Sequence, residues 1–351
     1  MKKIVKRATD RMRNNKIYGK IHAKVYRPLY ENRKKVVYAI FAVTTVLLTT
    51  YLGIGYFIYL QLAKGSMGDG EQTGNTPANF EIKWDKYEGY NVTPYLSPDY
   101  ENVTIPGGDE GIELSAWWIQ GIEDKPTIIM CHGIHSSKAA DTLLLVAGML
   151  NNNGYNVVMF DYRDHGHSTQ EDGMISLGVR EHRDIIAVME WINETKGIPH
   201  SQIGLYGMSM GGGYVANAFM ADERFSAVVM ESPYAELNMI IEEELERNGF
   251  PTWLSKGAVF MAELMTGDDL LSMPPLEAVS AANGRPMFVI HGTGDERVGV
   301  HHSQMMIEKA EKEGVNMTSW IIPDLEHVEA PLSHSDEYES RIIEFYEGAL
   351  T

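Results

Sequence analysis

The sequence lacks the cysteines that a disulfide framework or a cysteine-rich metal site would need. Cys131 is the only cysteine among 351 residues, which excludes an intrachain disulfide and a zinc site built from several cysteines. Apolar residues are not scarce: 44% are hydrophobic and 10% aromatic, a composition that excludes a disordered chain. The length allows one large domain or two modest ones with a sizeable core.

Acidic residues are scarce at the N-terminus, although the whole chain has a formal charge of −18. Residues 1–35 contain thirteen Lys or Arg and only two acids, Asp10 and Glu31, so this arm carries +11 and the remainder −29. Such asymmetry is typical of proteins that contact a membrane or a nucleic acid.

Charge is absent altogether from Val36–Leu60, 25 residues that separate the basic arm from the acidic body. As a helix they extend about 37 Å, enough to cross a hydrocarbon core of ~30 Å. A cleaved signal peptide has a shorter apolar region, about 7–15 residues, before a small-residue cleavage site, and residues 61–64 offer no clear site. The pattern therefore predicts an uncleaved signal anchor over 36–60.

The orientation of this anchor follows from the basic residues. Thirteen precede the helix and only Lys64 follows it closely, so the positive-inside rule places 1–35 in the cytoplasm and the acidic body outside. A basic arm beside a membrane helix contacts anionic lipid, and the acidic body repels polyanions. We therefore expect membrane lipid, and not nucleic acid, as a partner.

The body shows a second change of pattern. Residues 61–80, rich in Gly, Thr and Asn, indicate a linker, and 81–351 alternates short apolar runs with helical patterns. This alternation predicts a mostly parallel α/β sheet flanked by helices, with an antiparallel start at 103–105 and 113–119. The stretch 232–284 interrupts the rhythm and is a candidate lid.

The strongest motif is Gly-Met-Ser-Met-Gly at 207–211, between a predicted strand and a predicted helix. This context is the one that a G-x-S-x-G nucleophile elbow requires, which makes Ser209 the candidate nucleophile. Its base and orienting acid should follow in chain order at the carboxyl ends of later strands. Asp295 and His327 hold those places. Glu296, Asp324 and Glu326 compete for the acid role, and His301, His302 and His334 for the base.

An oxyanion site needs two donors. The backbone N–H of Met210, directly after the nucleophile, is the first, and the loop after the strand 127–130 should supply the second. Gly133 allows a close approach there, and the amide of Ile134 is the expected donor.

These pieces together resemble the α/β-hydrolase superfamily, in the branch of serine aminopeptidase-like and prolyl-oligopeptidase-like hydrolases that includes membrane-anchored members. The matching parts are His132-Gly133, the run Phe160–Ser168, the elbow, and His291-Gly292 with Asp295 and Val298. The resemblance covers about 100–350 and implies the α/β-hydrolase fold, the triad Ser209, Asp295 and His327, and cleavage of an ester, thioester or amide through an acyl-enzyme. Asp164 stands where the family usually has Gly.

Three alternatives stay open from the sequence. Zinc would need ligands from two loops that contain His132, His135, Asp161, Asp164, His165 and His167, whose spacing matches no known metallohydrolase motif; we therefore expect neither metal nor cofactor. The chain would be an acyltransferase if the acyl group moved to an acceptor other than water, or a binding module if the fold had lost catalysis. The sequence leaves the substrate, a small acyl or peptidyl compound, and the oligomeric state open.

Overall fold

The structure, a computed structural model of the chain, describes residues 20, 22–26, 32–69 and 73–350. The chain divides into two units, Met1–Ile54 and Gly55–Thr351. Most of the predicted basic arm, 1–35, lies outside the described residues.

A single long helix, α1 (Arg33–Leu62), contains the whole predicted membrane segment. By length and composition it is able to cross a membrane. The hydroxyls of Thr44 and Thr49 donate to the carbonyls of Ile40 and Thr45, four residues earlier, at 2.8 and 2.9 Å, so these polar groups are satisfied within the helix. The segment predicted over 36–60 is therefore helical, as expected.

An eight-stranded sheet forms the centre of the second unit. Its strands are β2 (Tyr100–Pro106), β3 (Glu113–Ile119), β4 (Thr127–Cys131), β5 (Asn156–Phe160), β7 (Ile203–Met208), β8 (Ala227–Glu231), β9 (Met287–Gly292) and β10 (Met317–Ile322). Their spatial order is β10-β9-β8-β7-β4-β5-β3-β2, parallel from β10 to β5 and antiparallel where β3 joins β5 and β2 joins β3. This is the α/β-hydrolase arrangement that the sequence predicts, with its antiparallel start.

Helices cover both faces of the sheet because its parallel strands are apolar on both sides. Ile128 and Met130 of β4 pack into a core with the helices after β4 and after β10, whereas the helices that precede and follow β7 pack together on the other face. The helices are α2 (Asp141–Asn152), α3 (Glu181–Trp191), α4 (Met210–Ala221), α5 (Leu237–Arg247), α6 (Ser255–Thr266), α7 (His301–Glu313), α8 (Ala330–Ser333) and α9 (Ser335–Ala349).

The segment predicted as a linker over 61–80 is part of the second unit, and its described residues are paired with other parts of that unit. A short strand, β1 (Ser66–Met67), pairs in parallel with β6 (His165–Gly166). Ala63 and Gly65 bond to a second segment in an antiparallel bridge: the N–H of Ile175 donates to the Ala63 carbonyl at 2.7 Å, and the N–H of Gly65 donates to the Gly173 carbonyl at 2.8 Å. Further along, Phe80 is buried. The Gly-rich composition thus coexists with fixed pairing.

The loop at 160–168 is held by buried ion pairs. The guanidinium of Arg163, fully buried, donates to both carboxylate oxygens of Asp184 at 2.9 and 2.7 Å and to Asp109 at 2.6 Å. Asp164 adopts a left-handed φ of 59°, a conformation that favours glycine but that Asp also tolerates. This tolerance explains how Asp164 replaces the usual glycine. The buried ion pairs of Arg163 indicate that the loop has a structural role.

Replacing Arg163 with Met is expected to lower the free energy of unfolding by about 3–5 kcal/mol, because Asp184 would be left as a buried charge without its partner. Denaturant titration of the full chain in detergent micelles measures this change. The matched control is Arg341→Met, whose pair with Glu337 is exposed and contributes little. Equal effects of the two substitutions would contradict a supporting role for Arg163.

Candidate active site

Ser209 lies in a sharp turn between β7 and α4, with φ 57° and ψ −124°. A non-glycine residue in such a conformation costs about 1–3 kcal/mol. The flanking glycines are required by space: a β-carbon at Gly207 would overlap the backbone of Gly211, and one at Gly211 would overlap the backbone of Cys131. The Gly-x-Ser-x-Gly spacing therefore follows from close packing around a strained serine.

The structure brings Ser209 together with both predicted partners. The Ser209 hydroxyl lies 2.8 Å from Nε2 of His327, and Nδ1 of His327 lies 2.7 Å from Oδ2 of Asp295. Asp295 follows β9 and His327 follows β10, so the carboxyl ends of neighbouring strands deliver them to one edge of the sheet. This connected set has the nucleophile–base–acid geometry of a serine hydrolase.

The competing side chains lie elsewhere. Glu296, Asp324 and Glu326 are exposed, and the acid bonded to His327 is Asp295. His301 and His302 contact Glu243, and His334 contacts Ser333.

Asp295 is held as a carboxylate by a set of donors. Its Oδ1 accepts the backbone N–H groups of Arg297 and Val298 at 2.9 and 2.8 Å, and Oδ2 also lies 3.2 Å from Nε2 of His291. Burial by itself raises the pKa of Asp295, but the hydrogen bonds from His291, His327 and Val298 outweigh it and hold this pKa well below its usual range. Asp295 is therefore ionised and oriented at neutral pH.

His291 is a buried neighbour of Asp295 whose contacts the sequence does not reveal. Its Nδ1 accepts from the Ser303 hydroxyl at 2.6 Å, and its Nε2 contacts the Val298 carbonyl at 2.8 Å as well as Asp295. These contacts fix the acid loop around Asp295. His291 stands in the matching His-Gly pair, but only tertiary packing shows what its ring touches.

The two expected oxyanion amides belong to residues that line the same cavity as Ser209. Met210 and Ile134 both contribute to its wall, and within the described residues neither amide donates a backbone hydrogen bond. A β-carbon at Gly133 would lie 3.4 Å from Cβ of Ser209, so this loop closely approaches the nucleophile.

The loop that carries Ile134 is anchored by a neutral histidine. Nδ1 of His132 lies 2.8 Å from the Gly133 carbonyl, and its ring packs on Tyr162 with centroids 4.6 Å apart. Complete burial lowers the pKa of His132 to about 3. His132 therefore supports the loop as a neutral donor.

A cavity of about 440 Å³ opens beside Ser209 and is largely apolar. One wall comes from the last turns of α1 through Phe57, Ile58 and Leu62. The opposite wall is α5, within the candidate lid 232–284. The lining side chains from this helix and its flanks are Tyr234, Leu237, Ile240, Ile241, Glu244, Leu245, Asn248 and Phe250.

Glu231, at the end of β8, is a buried acid beside the nucleophile that the sequence does not single out. Its carbonyl accepts the Ser209 N–H at 2.8 Å. Its Oε2 accepts the hydroxyls of Tyr206 and Tyr338 at 2.7 and 2.6 Å, and Oε1 has no partner among the described residues. Burial raises the pKa of Glu231 to about 7, although the two tyrosine hydrogen bonds oppose the shift.

Within the described residues, one group of His and acid side chains converges closely enough to be considered for metal ligation. Glu243, His301 and His302 have ligand atoms within 4.8 Å of one another. Nδ1 of His302 accepts the backbone N–H of Ala235 at 3.1 Å, so Nε2 carries the proton and points to Glu243. A metal at Nε2 would need that proton on Nδ1, where another N–H already points. This group therefore fits a hydrogen-bonded contact between α5 and α7 better than a metal site.

The sequence and the structure both resemble known hydrolases. The sequence model of the prolyl oligopeptidase family matches residues 143–351. A solved esterase of Pyrococcus furiosus, Pf2001, is 25% identical with a TM-score of 0.60, over 79% of this chain and 98% of its own.

Curated relatives give a similar result over shorter spans. An uncharacterised 31.7 kDa protein of Escherichia coli is 32% identical over 152 residues, which cover 42% of this chain and 52% of the relative. The lysophosphatidylserine lipase ABHD12 of Rattus norvegicus is 25% identical over 255 residues, 64% of this chain and 58% of the relative. The chain thus spans only about half the length of these relatives.

Replacing Glu231 with Gln is expected to change how stability depends on pH. The folded-state pKa of Glu231 is about 7, above the usual 4.5, so the folded chain binds this proton more tightly than the unfolded chain does. The resulting stabilisation is complete below pH 4.5 and is lost as the pH rises toward 7. Gln does not ionise, so the free energy of unfolding of the variant, relative to the native chain, should rise between pH 4.5 and 7, by an amount on the order of 3 kcal/mol. Denaturant titrations at several pH values in detergent measure this difference. The control is the exposed Glu337→Gln, and a constant difference for the Glu231 variant would contradict the assignment.

Proposed function

The chain belongs to the prolyl oligopeptidase family of serine hydrolases, and on this premise we propose that it is a membrane-anchored hydrolase that cleaves apolar acyl esters through an acyl-enzyme on Ser209. The observation that carries the proposal is the continuous hydrogen-bonded set Ser209–His327–Asp295 at the wall of an apolar cavity.

Acylation begins with attack of Ser209 Oγ on the substrate carbonyl. Nε2 of His327, 2.8 Å away, takes the hydroxyl proton, and Asp295 stabilises the imidazolium that forms. The carbonyl oxygen becomes an oxyanion facing the amides of Met210 and Ile134. His327 then gives the proton to the leaving oxygen, the bond from carbonyl carbon to that oxygen breaks, and the acyl group remains on Ser209.

Deacylation repeats these steps with water. His327 removes a proton from water, the hydroxide attacks the acyl carbon, and the second oxyanion uses the same two amides. Collapse returns the proton from His327 to Ser209 and releases the acid. An alcohol in place of water would make the reaction an acyl transfer with the same acyl-enzyme.

The cavity favours an apolar acyl group over a charged or peptide one. Its walls consist mainly of aliphatic and aromatic side chains from α1 and α5, with polar groups such as Glu244 and Arg297 in the minority. Its size of about 440 Å³ lies within the range of small-molecule pockets. The relatives named as an esterase and as a lipase support an ester bond.

The proposed membrane anchoring is supported by the apolar helix α1 and by the basic residues that precede it. The helix is long and apolar enough to span, and thirteen basic residues precede it. We assign 1–35 to a cytoplasmic arm on anionic lipid, 36–60 to the signal anchor, 61–80 to the connection and 81–351 to the extracytoplasmic hydrolase domain with its lid at 232–284.

Ser209→Ala is expected to abolish covalent labelling by a fluorophosphonate and to lower ester hydrolysis by about 10⁴-fold or more, because no nucleophile remains. In-gel detection of the labelled full chain in membranes measures the first effect. The control is Ser201→Ala, an exposed serine outside the cavity, which should label like the native chain. Unlabelled but folded native protein would favour a binding module.

The same labelling reports the topology. A membrane-impermeant fluorophosphonate should reach Ser209 in intact cells whose outer face is open to the reagent. Labelling only after lysis would place the domain in the cytoplasm and would contradict the orientation, without affecting the enzymatic proposal.

Replacing Ile241 with Trp is expected to shorten the usable acyl chain, because Ile241 lines the cavity from α5. Excluding three methylene groups from burial costs about 2.4 kcal/mol, roughly 60-fold in kcat/KM. A nitrophenyl ester series from acetate to dodecanoate should show this loss for long chains and little change for acetate. The control is Ile241→Val, which keeps the space. A uniform loss across the series would contradict an acyl site at α5.

A further inference from the structure

Helix α6 has its large apolar side chains on the outside. The exposed fractions of Phe260, Leu264 and Met265 are 50%, 64% and 56%. Its buried residues are mostly small, among them Ser255, Ala258 and Ala262. A surface helix normally shows the reverse arrangement, so packing within the second unit does not account for Phe260, Leu264 and Met265.

The exposed face continues from a contact with α1. A β-carbon at Gly55 would lie 2.5 Å from the carbonyl group of Gly257, so the two helices meet backbone to backbone. Gly257, Phe260 and Leu264 have the spacing i, i+3 and i+7, which places them on one face of α6. The face that meets α1 at its start therefore presents large apolar side chains further along.

The position of Gly55 limits the depth of this face. It lies five residues before Leu60, the end of the uncharged run, which is about 8 Å along a helix. Because the run of about 37 Å exceeds a hydrocarbon core of ~30 Å, an α1 that spans the bilayer places the start of α6 between the apolar boundary and about 8 Å inside it. Interfacial helices bury their apolar faces by about 5–10 Å at the junction of headgroups and acyl chains, and this range overlaps the depth available to α6.

Further side chains around α6 fit such an interface. Trp253, just before the helix, is 59% exposed, and indole rings concentrate at the headgroup level. Lys256 is exposed on the same helix, where an ammonium group is able to reach lipid phosphates.

We infer that the exposed face of α6, formed by Trp253, Phe260, Leu264 and Met265, rests on the lipid surface beside α1. This inference depends on the proposed membrane anchoring and adds a second, interfacial contact. Phe250, which lines the cavity, is 46% exposed and stands three residues before Trp253 of this face.

Site-specific labelling of the full chain tests this contact. Leu264→Cys carries an environment-sensitive fluorophore, and the protein is reconstituted in phosphatidylcholine vesicles with brominated acyl chains. Native Cys131 does not compete, because it is fully buried and burial raises the pKa of its thiol to about 12. The same label on Glu123→Cys, exposed in the turn that enters β4, reports the opposite edge of the sheet.

We expect brominated lipid to reduce the emission at position 264 at least twofold and to leave position 123 unchanged. An unquenched label at 264 in a water-like environment would overturn the contact. A blue-shifted label that lipid does not quench would overturn it in favour of protein, such as a second copy.

A third label distinguishes the contact of α6 with lipid from the membrane anchoring by α1 on which it depends. Val46→Cys lies in the middle of α1 and is exposed, so it should be quenched in the same vesicles. Quenching at 46 without quenching at 264 would reject the interfacial face alone. No quenching at 46 would reject the membrane anchor and, with it, the contact of α6.

Discussion

The site depends on holding Ser209 in a backbone conformation that a non-glycine residue resists. The surrounding structure imposes this conformation from several sides. Gly207 and Gly211 remove the β-carbons that would collide in the turn, and the Ser209 N–H donates to the carbonyl of Glu231 on the neighbouring strand. Packing and hydrogen bonding to the sheet thus offset the backbone strain at Ser209 and keep its hydroxyl directed toward His327.

The same sheet edge organises the electrostatics around the serine. Asp295 is kept ionised by donors from its own loop and from His291, whereas Glu231, a short distance along the edge, is buried with tyrosine hydroxyls that compensate its charge only in part. Two acids close to one nucleophile therefore have opposite tendencies to ionise. The supply of hydrogen-bond donors, and not the residue type, decides which of the two carboxyl groups is ionised.

The end of α1, from Gly55 onward, is part of the second unit. Phe57 and Leu62 line the cavity, and Gly55 meets α6. The end of α1 therefore forms part of the cavity wall, and under the proposed anchoring the same helix holds the cavity near lipid. The pairing of β1 with β6 attaches the segment after α1 to the second unit's own strand at 165–166.

The sequence by itself determined the parts that depend on local pattern. Strand–helix alternation predicted the parallel sheet with its antiparallel start, and the uncharged run predicted α1. The elbow, together with the chain order expected of acid and base, predicted that Ser209, Asp295 and His327 lie together, as their hydrogen bonds show. Only the tertiary structure decided which groups surround them, because the partners of His291 and Glu231 lie on other strands and helices. It also decided that the end of α1 lines the cavity and that Phe260 and Leu264 point outward, since periodicity reveals a face of a helix but not what covers it.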